Sequence, residues 1–281
     1  MNDVAMVKYR PFLKWAGNKY QILDRIRVLL PRGNCLIEPF VGSGAVFLNT
    51  NYEEYVLADN NEGLINLFLT LQYEREPFIE YCRSFFTGET NSADQYYKLR
   101  EEFNTTSNSK LKAGLFLYLN RHSYNGLCRY NSKGGFNVPF GQYSKPCFPE
   151  KEMRHFISMA GRPIFKVADF RDTMRSARRG DVIYCDPPYV PLSATSNFTS
   201  YSAGGFGMSA QIELAELAEE LSLRGVPVLI SNHATEFTLN AYKSARIEQF
   251  DVQRFISCKG DNRGKAGEVL ALFDREWSPE R

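Results

Sequence analysis

The stretch 182–192, "VIYCDPPYVPL", passes from an apolar run that reads as a buried strand onto a carboxylate, Asp186. Two prolines, Pro187 and Pro188, and then Tyr189 follow at once. A proline fixes its own φ and pushes the residue before it out of the helical region. The acid and the ring therefore sit in an extended, rigid turn, a hydrogen-bond acceptor beside a stacking face. Taken alone, such a turn is equally well explained as the proline-rich exit of a strand. Both readings stand at this point.

A second stretch with chemical potential is "EPFVGSGAVF", which holds Glu38, Phe40, Gly42 and Gly44. The two glycines permit a tight turn and a close approach of ligand to backbone. The turn lies between a predicted strand, "CLIEP", and a predicted helix, "SGAVFLNT". The next strand, "YVLAD", ends on Asp59, whose carboxylate can take two ribose hydroxyls. NAD is disfavoured, because Phe47 stands where the third glycine of GxGxxG would allow packing around a pyrophosphate. No GxxxxGK[ST] occurs, so a P-loop is excluded. The remaining common ligand with a ribose and no phosphate is S-adenosylmethionine. Glu38 is then a polar pocket group or, alternatively, a surface acid at a strand end.

Charge is distributed unevenly. The chain carries +2 overall, yet residues 104–149 hold no acid and six basic residues, so that this stretch is +6 and the rest −4. Phe116, Tyr118, Tyr124, Tyr130, Phe136, Phe140, Tyr143 and Phe148 are interleaved with those charges. Basic residues among aromatics supply phosphate attraction and base stacking, the properties of a nucleic-acid surface.

These residues need elements to hold them. Ile22, Leu23, Ile26, Leu29 and Leu30 recur at helical spacing before Pro31 and Gly33. Beyond Asn61 the texture is helical: 62–86 with a break at Pro77, 93–103 and 110–121. Strand-like pieces around Lys133-Gly134-Gly135 predict a hairpin. From Pro149 the α/β alternation resumes, with strands at "IFKVAD", "DVIYCD", "VPVLISN", "RIEQFDV" and "EVLALF". A helix with Ser209 as candidate N-cap and Gly225 beyond its end precedes the third of these. The expected architecture is α/β. A Rossmann-like sheet with helices on both faces is built from residues 1–61 and 150–281, and a mainly helical insertion with a β-hairpin spans 62–149.

At 281 residues and 43% hydrophobic content the chain can bury one large core or two smaller ones. It has no run of roughly 18 apolar residues and no signal-peptide h-region, so a cytoplasmic protein without a membrane partner is expected. Six cysteines lack CxxC spacing, which predicts free thiols, no disulfide and no metal site. His233 reads as structural and His155 as a surface residue of a helix.

Together, "PFLKWAGNK", "EPFVGSGAVFLNT", "LADNN", "YNGLCRYN", "FNVPFGQY", "DPPYVPLSATSNFTSY" and "VLISNH" closely resemble the Dam-type DNA adenine-N6 methyltransferases, which methylate GATC. The resemblance spans nearly the whole chain, in the family's order. It implies S-adenosylmethionine as cofactor, with Trp15, Lys19, Asp59 and Asp186 at its binding positions. Phe40, Gly42 and Gly44 match the cofactor loop, and Asp169-Phe170 falls where the family packs the cofactor adenine. It also implies double-stranded DNA as partner and a monomer associated with the nucleoid. Lys14 matches a residue that reads the outer guanine, and Tyr124 and Asn125 match the wedge into the duplex. Leu127, Arg129 and Pro139 match contacts to the inner base pairs. Lys259, Arg263 and Lys265, in the loop 257–267, are candidate phosphate contacts or, equally, charges of a solvated loop. Two departures occur: Asn18 stands where the family has a second glycine, and His122-Ser123 replaces Tyr-Gly.

The chemistry so implied is demanding. The adenine N6 lone pair is conjugated into the ring, and the amine is out of reach in a stacked duplex, so such enzymes flip the base out. Asp186 and the Pro187 carbonyl can each accept one N6 proton, and Tyr189 can stack on the ring. The same chemistry on cytosine N4 or on RNA, or a catalytically silent DNA-binding protein, are the rival readings. The acid at Asp186, the matched recognition segment and the intact cofactor loop argue against them.

Overall fold

The computed structural model describes residues 7–191, 206–253 and 265–275. Lys259 and Arg263 lie outside the described residues, as does the stretch 192–205 that follows the proline turn.

All seven predicted strands form: β1 (Cys35–Glu38), β2 (Glu54–Asp59), β3 (Pro163–Val167), β4 (Val182–Cys185), β5 (Val228–His233), β6 (Arg246–Gln253) and β7 (Lys265–Phe273). Their order in the sheet is β3-β2-β1-β4-β5-β7-β6. β4 runs parallel to β1 and to β5, with Ile183 opposite Ile37 and Val228. β7 enters antiparallel to both β5 and β6. Every residue of β1 and β4 is buried, which is why they read as unbroken apolar runs rather than alternating ones. This is the expected Rossmann-like sheet, with β7 inserted antiparallel. The strand order reverses between β1 and β4, and α/β sheets bind ligands outside the carboxyl ends of the strands at such a point. Glu38 ends β1, and Asp186 follows β4 directly.

The chain divides into two compact units. One comprises Met1–Asp24, Val41–Asn51 and Leu57–Val167, and the other Arg25–Phe40, Tyr52–Val56 and Ala168–Arg281. The helical segment 62–149 thus shares a unit with the N-terminal stretch and the glycine turn.

α1 (Leu23–Leu29) begins in the first unit and lies mostly in the second. The first unit's helices are α2 (Glu62–Glu74), α3 (Glu76–Arg83), α4 (Ala93–Thr105), α5 (Ser109–His122) and α6 (Glu150–Met159). Asn61, Ser92 and Asn108 cap α2, α4 and α5, each side chain accepting a backbone N–H of the first turn. The break predicted at Pro77 falls at Arg75, whose φ of 58° turns the chain before the proline enters α3. Buried Phe12, Phe47, Phe68, Phe156 and Phe165 pack with ring centroids between 5.2 and 6.4 Å. The predicted hairpin closes through bridging pairs, Tyr130 with Phe136 and Ser123 with Phe140, rather than a continuous ladder. His155 is half-buried, stacked on Tyr9 at 3.6 Å with Nε2 3.2 Å from the Leu48 carbonyl. That corrects the surface assignment.

The predicted helix "SGAVFLNT" is the clearest difference. Only a 3-10 turn, Phe47–Asn49, forms there. The Asn49 amide donates to the carbonyls of Ala45 and Tyr9, and the Thr50 hydroxyl takes the Val46 carbonyl. Side chains that occupy helical acceptors end the helix before it extends.

In the second unit α7 (Phe170–Arg175) and α8 (Met208–Leu223) pack residues such as Met174, Leu214, Leu217 and Leu221 against β-strand residues Ile37, Ile183 and Ile230. A short helix, α9 (Glu236–Ala241), follows β5 behind a Thr235 capping box. Ser209 does not cap α8. It lies inside the helix, and Gly207 occupies the N-cap without a side-chain bond. Gly225 does close the other end, at φ 81°, with Val226 N–H on the Leu221 carbonyl at 3.0 Å.

Candidate active site and DNA interface

Within the first unit the glycine turn is a close-packed cradle. Gly42 and Gly44 have φ of 48° and 73°, and a Cβ on Gly42 would lie 2.8 Å from Trp15 Nε1. The indole thus covers the turn so closely that only glycine fits. Gly42 N–H donates to Asp59 Oδ2 at 3.1 Å, and Asn61 N–H donates to Oδ1 at 3.0 Å. Burial pushes the Asp59 carboxyl above its ordinary range, and the backbone N–H groups of Asn61, Gly42 and Asn60 oppose that push. Lys19 is buried, with its ammonium on the Gly17 carbonyl. Asn18 occupies its position without strain, at φ −52°. It accepts the Tyr20 N–H at 2.8 Å and donates to Ser43 Oγ at 3.4 Å. The left-handed residue of this bend is Gly17, so a second glycine is not required.

The second unit holds two groups of candidate residues. Phe40 stacks on buried Phe170 with centroids 5.5 Å apart, and Phe206 meets each ring at 5.4 Å. Asp169 caps α7, is exposed, and pairs with Arg171 at 3.0 Å. Glu38 is only 2% exposed, so it is not a surface acid.

The proline turn forms the other group. The Ser231 hydroxyl donates to Asp186 Oδ1 at 3.0 Å, and the Tyr184 hydroxyl lies 3.1 Å from Ser231 Oγ. Gln211 donates to the Pro188 carbonyl at 2.7 Å. Among the described residues no group donates to the Pro187 carbonyl. Tyr189 is half-buried, edge-on to His233 at 4.7 Å, with its hydroxyl 3.4 Å from Glu268 Oε2. Burial, with the nearby charges of Asp186 and Glu268, raises the Tyr189 phenol well above its ordinary pKa, so it stays protonated. Val190 N–H donates to Asn232 Oδ1 at 3.0 Å, which fixes the backbone on the far side of the ring.

Back in the first unit, the turn 123–127 presents Tyr124, 53% exposed, on a backbone with few freedoms. Asn125 and Gly126 are both left-handed, with φ of 54° and 65°. Tyr124 N–H is held by the Pro139 carbonyl at 2.9 Å, and the Ser123 hydroxyl by the Leu127 carbonyl at 3.2 Å. Lys14 is anchored by Asn120, which accepts its N–H at 2.9 Å and donates to its carbonyl at 2.7 Å. Its ammonium lies 4.1 Å over the Tyr143 ring, and burial, with Arg121 nearby, lowers its pKa. Arg129 is exposed, its Nε donating to Asn137 Oδ1 at 2.8 Å. The basic run is not uniformly available for phosphate, since Lys110 pairs with Glu74 at 2.5 Å.

Residues 15–256 match the model of the D12 class N6 adenine-specific DNA methyltransferases. The chain belongs to that family. It is 52% identical over 269 residues to a DNA adenine methylase of Serratia marcescens, covering 95% of this chain and 100% of that one. The DNA adenine methylase of Escherichia coli strain K12 is 50% identical over 268 residues, with 95% and 96% covered. That of Vibrio cholerae serotype O1 (strain ATCC 39315 / El Tor Inaba N16961) is 47% identical over 276 residues, with 98% and 100% covered.

As a member of the D12 class, this chain is an adenine-specific DNA methyltransferase that uses a methyl donor of the S-adenosylmethionine type. Among the described residues no cluster of His, Cys, Asp and Glu could hold a metal, and no helix could cross a membrane. Of the residues predicted from sequence, Trp15, Gly42 and Asp59 meet directly. So do Phe40 and Phe170, and Asp186, Pro187 and Tyr189 share one turn. Tyr124 and Pro139 are joined through the backbone, whereas Arg129 bonds to Asn137, a residue not predicted. Sequence reasoning also missed Ser231, Asn232 and Gln211 around the proline turn, and Asn61 and Asn120 in the first unit, and it named Tyr143 only as one aromatic of the basic run. Only "ISN" at the end of β5 hinted at the first two, because polar residues there interrupt an apolar strand.

Proposed function

We propose that this enzyme methylates N6 of adenine in duplex DNA within GATC, flipping the adenine so that Asp186, Pro187 and Tyr189 receive it, with S-adenosylmethionine as donor. The observation that carries the reading is the turn at Asp186–Tyr189. A carboxylate, a carbonyl with no donor among the described residues and a half-buried ring are held by two prolines and by bonds to Ser231, Gln211 and Asn232.

The cofactor supplies an electrophilic methyl on a sulfonium. The chain has groups suited to hold it. In the first unit Trp15, Lys19, Gly42, Gly44 and Asp59 are the candidates for its ribose and methionine parts, and in the second unit Glu38 and Asp186 are candidate cofactor residues. Phe40, Asp169 and Phe170 would take its adenine. The Asp59 carboxylate accepts the backbone N–H groups of Gly42, Asn61 and Asn60, and a carboxylate offers about four lone-pair sites. Acceptor capacity therefore remains for a ribose hydroxyl.

On the target side, Asp186 accepts one N6–H and the Pro187 carbonyl the other. The nitrogen then pyramidalises and aims its lone pair outward. Asp186 would stabilise the positive charge that the incoming methyl places on the adenine nitrogen. The methylated ammonium is acidic and releases its proton afterwards, so Asp186 need not be a strong base. Alignment of this kind contributes up to about 7–11 kcal/mol.

Residues 62–149 would read the DNA. Lys14 would contact the outer guanine, Tyr124 and Asn125 would fill the space left by the flipped base, and Leu127, Arg129 and Pro139 would contact inner base pairs. Lys259 and Arg263 would meet phosphates.

The test is to incubate the protein with labelled S-adenosylmethionine and duplexes carrying GATC or a scrambled site, then digest and identify the labelled nucleoside. Label in N6-methyladenine from the GATC duplex is expected. Label in N4-methylcytosine, or equal label in both duplexes, overturns the proposal.

A further inference from the structure

The groups around Asp186 form an ordered relay. β4 ends at Cys185 because the prolines after Asp186 have no N–H to give to the ladder. β5 continues to His233, and with Ile230 in register with Cys185 the next residue, Ser231, comes level with Asp186. Ser231 is fully buried. Its hydroxyl also bonds the Tyr189 phenol, and its proton has two acceptors without a proton of their own, Asp186 Oδ1 at 3.0 Å and the Cys185 carbonyl at 3.3 Å. The nearer one belongs to a carboxylate, and hydrogen bonds to an ionised acceptor are the stronger. A lone pair of Ser231 is then left to accept from the Tyr184 hydroxyl at 3.1 Å. Burial raises the Tyr184 phenol well above its ordinary pKa, so it keeps the proton it donates. The direction is therefore set: Tyr184 to Ser231 to Asp186.

We propose that Ser231 is a positioning residue for methyl transfer, its hydroxyl holding the plane of the Asp186 carboxylate in the orientation that receives the N6 amine, with Tyr184 setting the direction of that hydroxyl. The inference rests on the reading of Asp186 given above. A neutral donor suits the task, because it orients one oxygen without adding a cation that would compete for the carboxylate. A misplacement of about 1 Å in a reacting group can cost on the order of 100-fold in rate.

The test is single-turnover methyl transfer from pH 5 to 9 with Ser231→Ala, beside Tyr184→Phe and Asp186→Ala. Ser231→Ala removes one oxygen from a packed site. It is expected to lower the rate about 10- to 100-fold while the binding of cofactor and duplex stays within about 3-fold. The acid limb of the profile should move up by about one pH unit, because a donor that stabilised the charged carboxylate is gone. Of the other titratable groups acting there, the Tyr184 and Tyr189 phenols lose a Ser231 bond that lowers their pKa and so stay protonated, while the Cys185 thiol is governed by burial and Glu38 and Glu268 act through charge. Tyr184→Phe should show a smaller loss, about 2- to 5-fold, and it tests the relay even if Ser231→Ala does not fold. A wild-type rate and unmoved acid limb in Ser231→Ala overturn the proposal. If that variant does not fold, a wild-type rate in Tyr184→Phe does so. Wild-type turnover in Asp186→Ala instead removes the reading of Asp186 itself, and this proposal with it.

Discussion

Gly126 lies flush against Lys14. A Cβ on the glycine would stand 2.5 Å from Lys14 Cβ and 2.6 Å from its Cδ, and the glycine's own φ is 65°. The turn that presents Tyr124 and the lysine proposed to read the outer guanine are thus one packed object, joined further by Asn120, which donates to the carbonyls of both Lys14 and Gly126. Gly126→Ala must strain the backbone and displace the lysine stem. The expected loss is about 1–3 kcal/mol of stability, with at least about a 10-fold fall in the preference for GATC over a scrambled duplex, since 1.4 kcal/mol is tenfold. Denaturant unfolding and competition binding measure the two. Wild-type values in both would separate the turn from Lys14.

Much of this architecture was legible because parallel core strands announce themselves. β1, β4 and β5 are apolar runs closed by polar residues, and all seven strands were placed within a few residues. The helix expected after Gly44 failed because Asn49 and Thr50 turn their side chains onto backbone carbonyls, a local competition that periodicity does not register. Ser231 was invisible for a different reason. Its importance depends on β5 lying beside β4 in a particular register, and strand neighbours and register emerge only in the folded sheet. Asn18, by contrast, looked like a departure and proved harmless once Gly17 was seen to carry the left-handed bend.

His122 gives the fold a pH dependence. It is buried, stacked on Tyr118 at 4.0 Å, with Nδ1 2.8 Å from the Tyr118 carbonyl. Burial pulls its pKa from 6.5 down to about 4, and Lys14 and Arg121 add to that pull. The unfolded chain therefore binds the extra proton first. The stability tied to neutral His122 is complete above the unfolded value near 6.5 and is lost as pH falls toward 4. The full effect is about 3 kcal/mol. Urea unfolding of wild type and His122→Phe at pH 7 and pH 4.5 should show a shallower acid loss in the variant. Parallel losses would assign the acid sensitivity elsewhere.

Arg129 and Asn137 hold each other reciprocally. The guanidinium Nε donates to Asn137 Oδ1 at 2.8 Å, and Asn137 N–H donates to the Arg129 carbonyl at 3.1 Å. A guanidinium so oriented suits bidentate contact with guanine O6 and N7, worth about 1–3 kcal/mol against a wrong base. Arg129→Ala should relax discrimination at one base pair, and Asn137→Ala should do so more weakly because the charge remains but its aim is lost. Turnover on duplexes substituted at each GATC position distinguishes this from a phosphate contact, which would lower all sequences equally and flatten the salt dependence.

Asn61 joins the candidate ribose acid to the candidate DNA-reading segment. Its N–H donates to Asp59 Oδ1 at 3.0 Å, its Oδ1 lies 3.3 Å from the Tyr130 hydroxyl, and its Nδ2 is 3.4 Å from Cys128 Sγ. Tyr130 and Cys128 flank Arg129. An adjustment of Asp59 on taking a ribose therefore has a short route of hydrogen bonds to the recognition segment. The expected consequence is that S-adenosylmethionine tightens GATC binding and DNA tightens cofactor binding by the same factor, as linkage requires. Asn61 also caps α2 through Leu64 N–H, so Ala would confuse coupling with stability, a loss of about 1 kcal/mol. Asn61→Ser keeps a capping oxygen but cannot reach Tyr130 and Cys128. Calorimetric titration of cofactor into free and DNA-bound protein should give a coupling of about 5-fold or more in wild type, falling toward unity in Asn61→Ser. Equal coupling in the two proteins would show that the signal travels by another route.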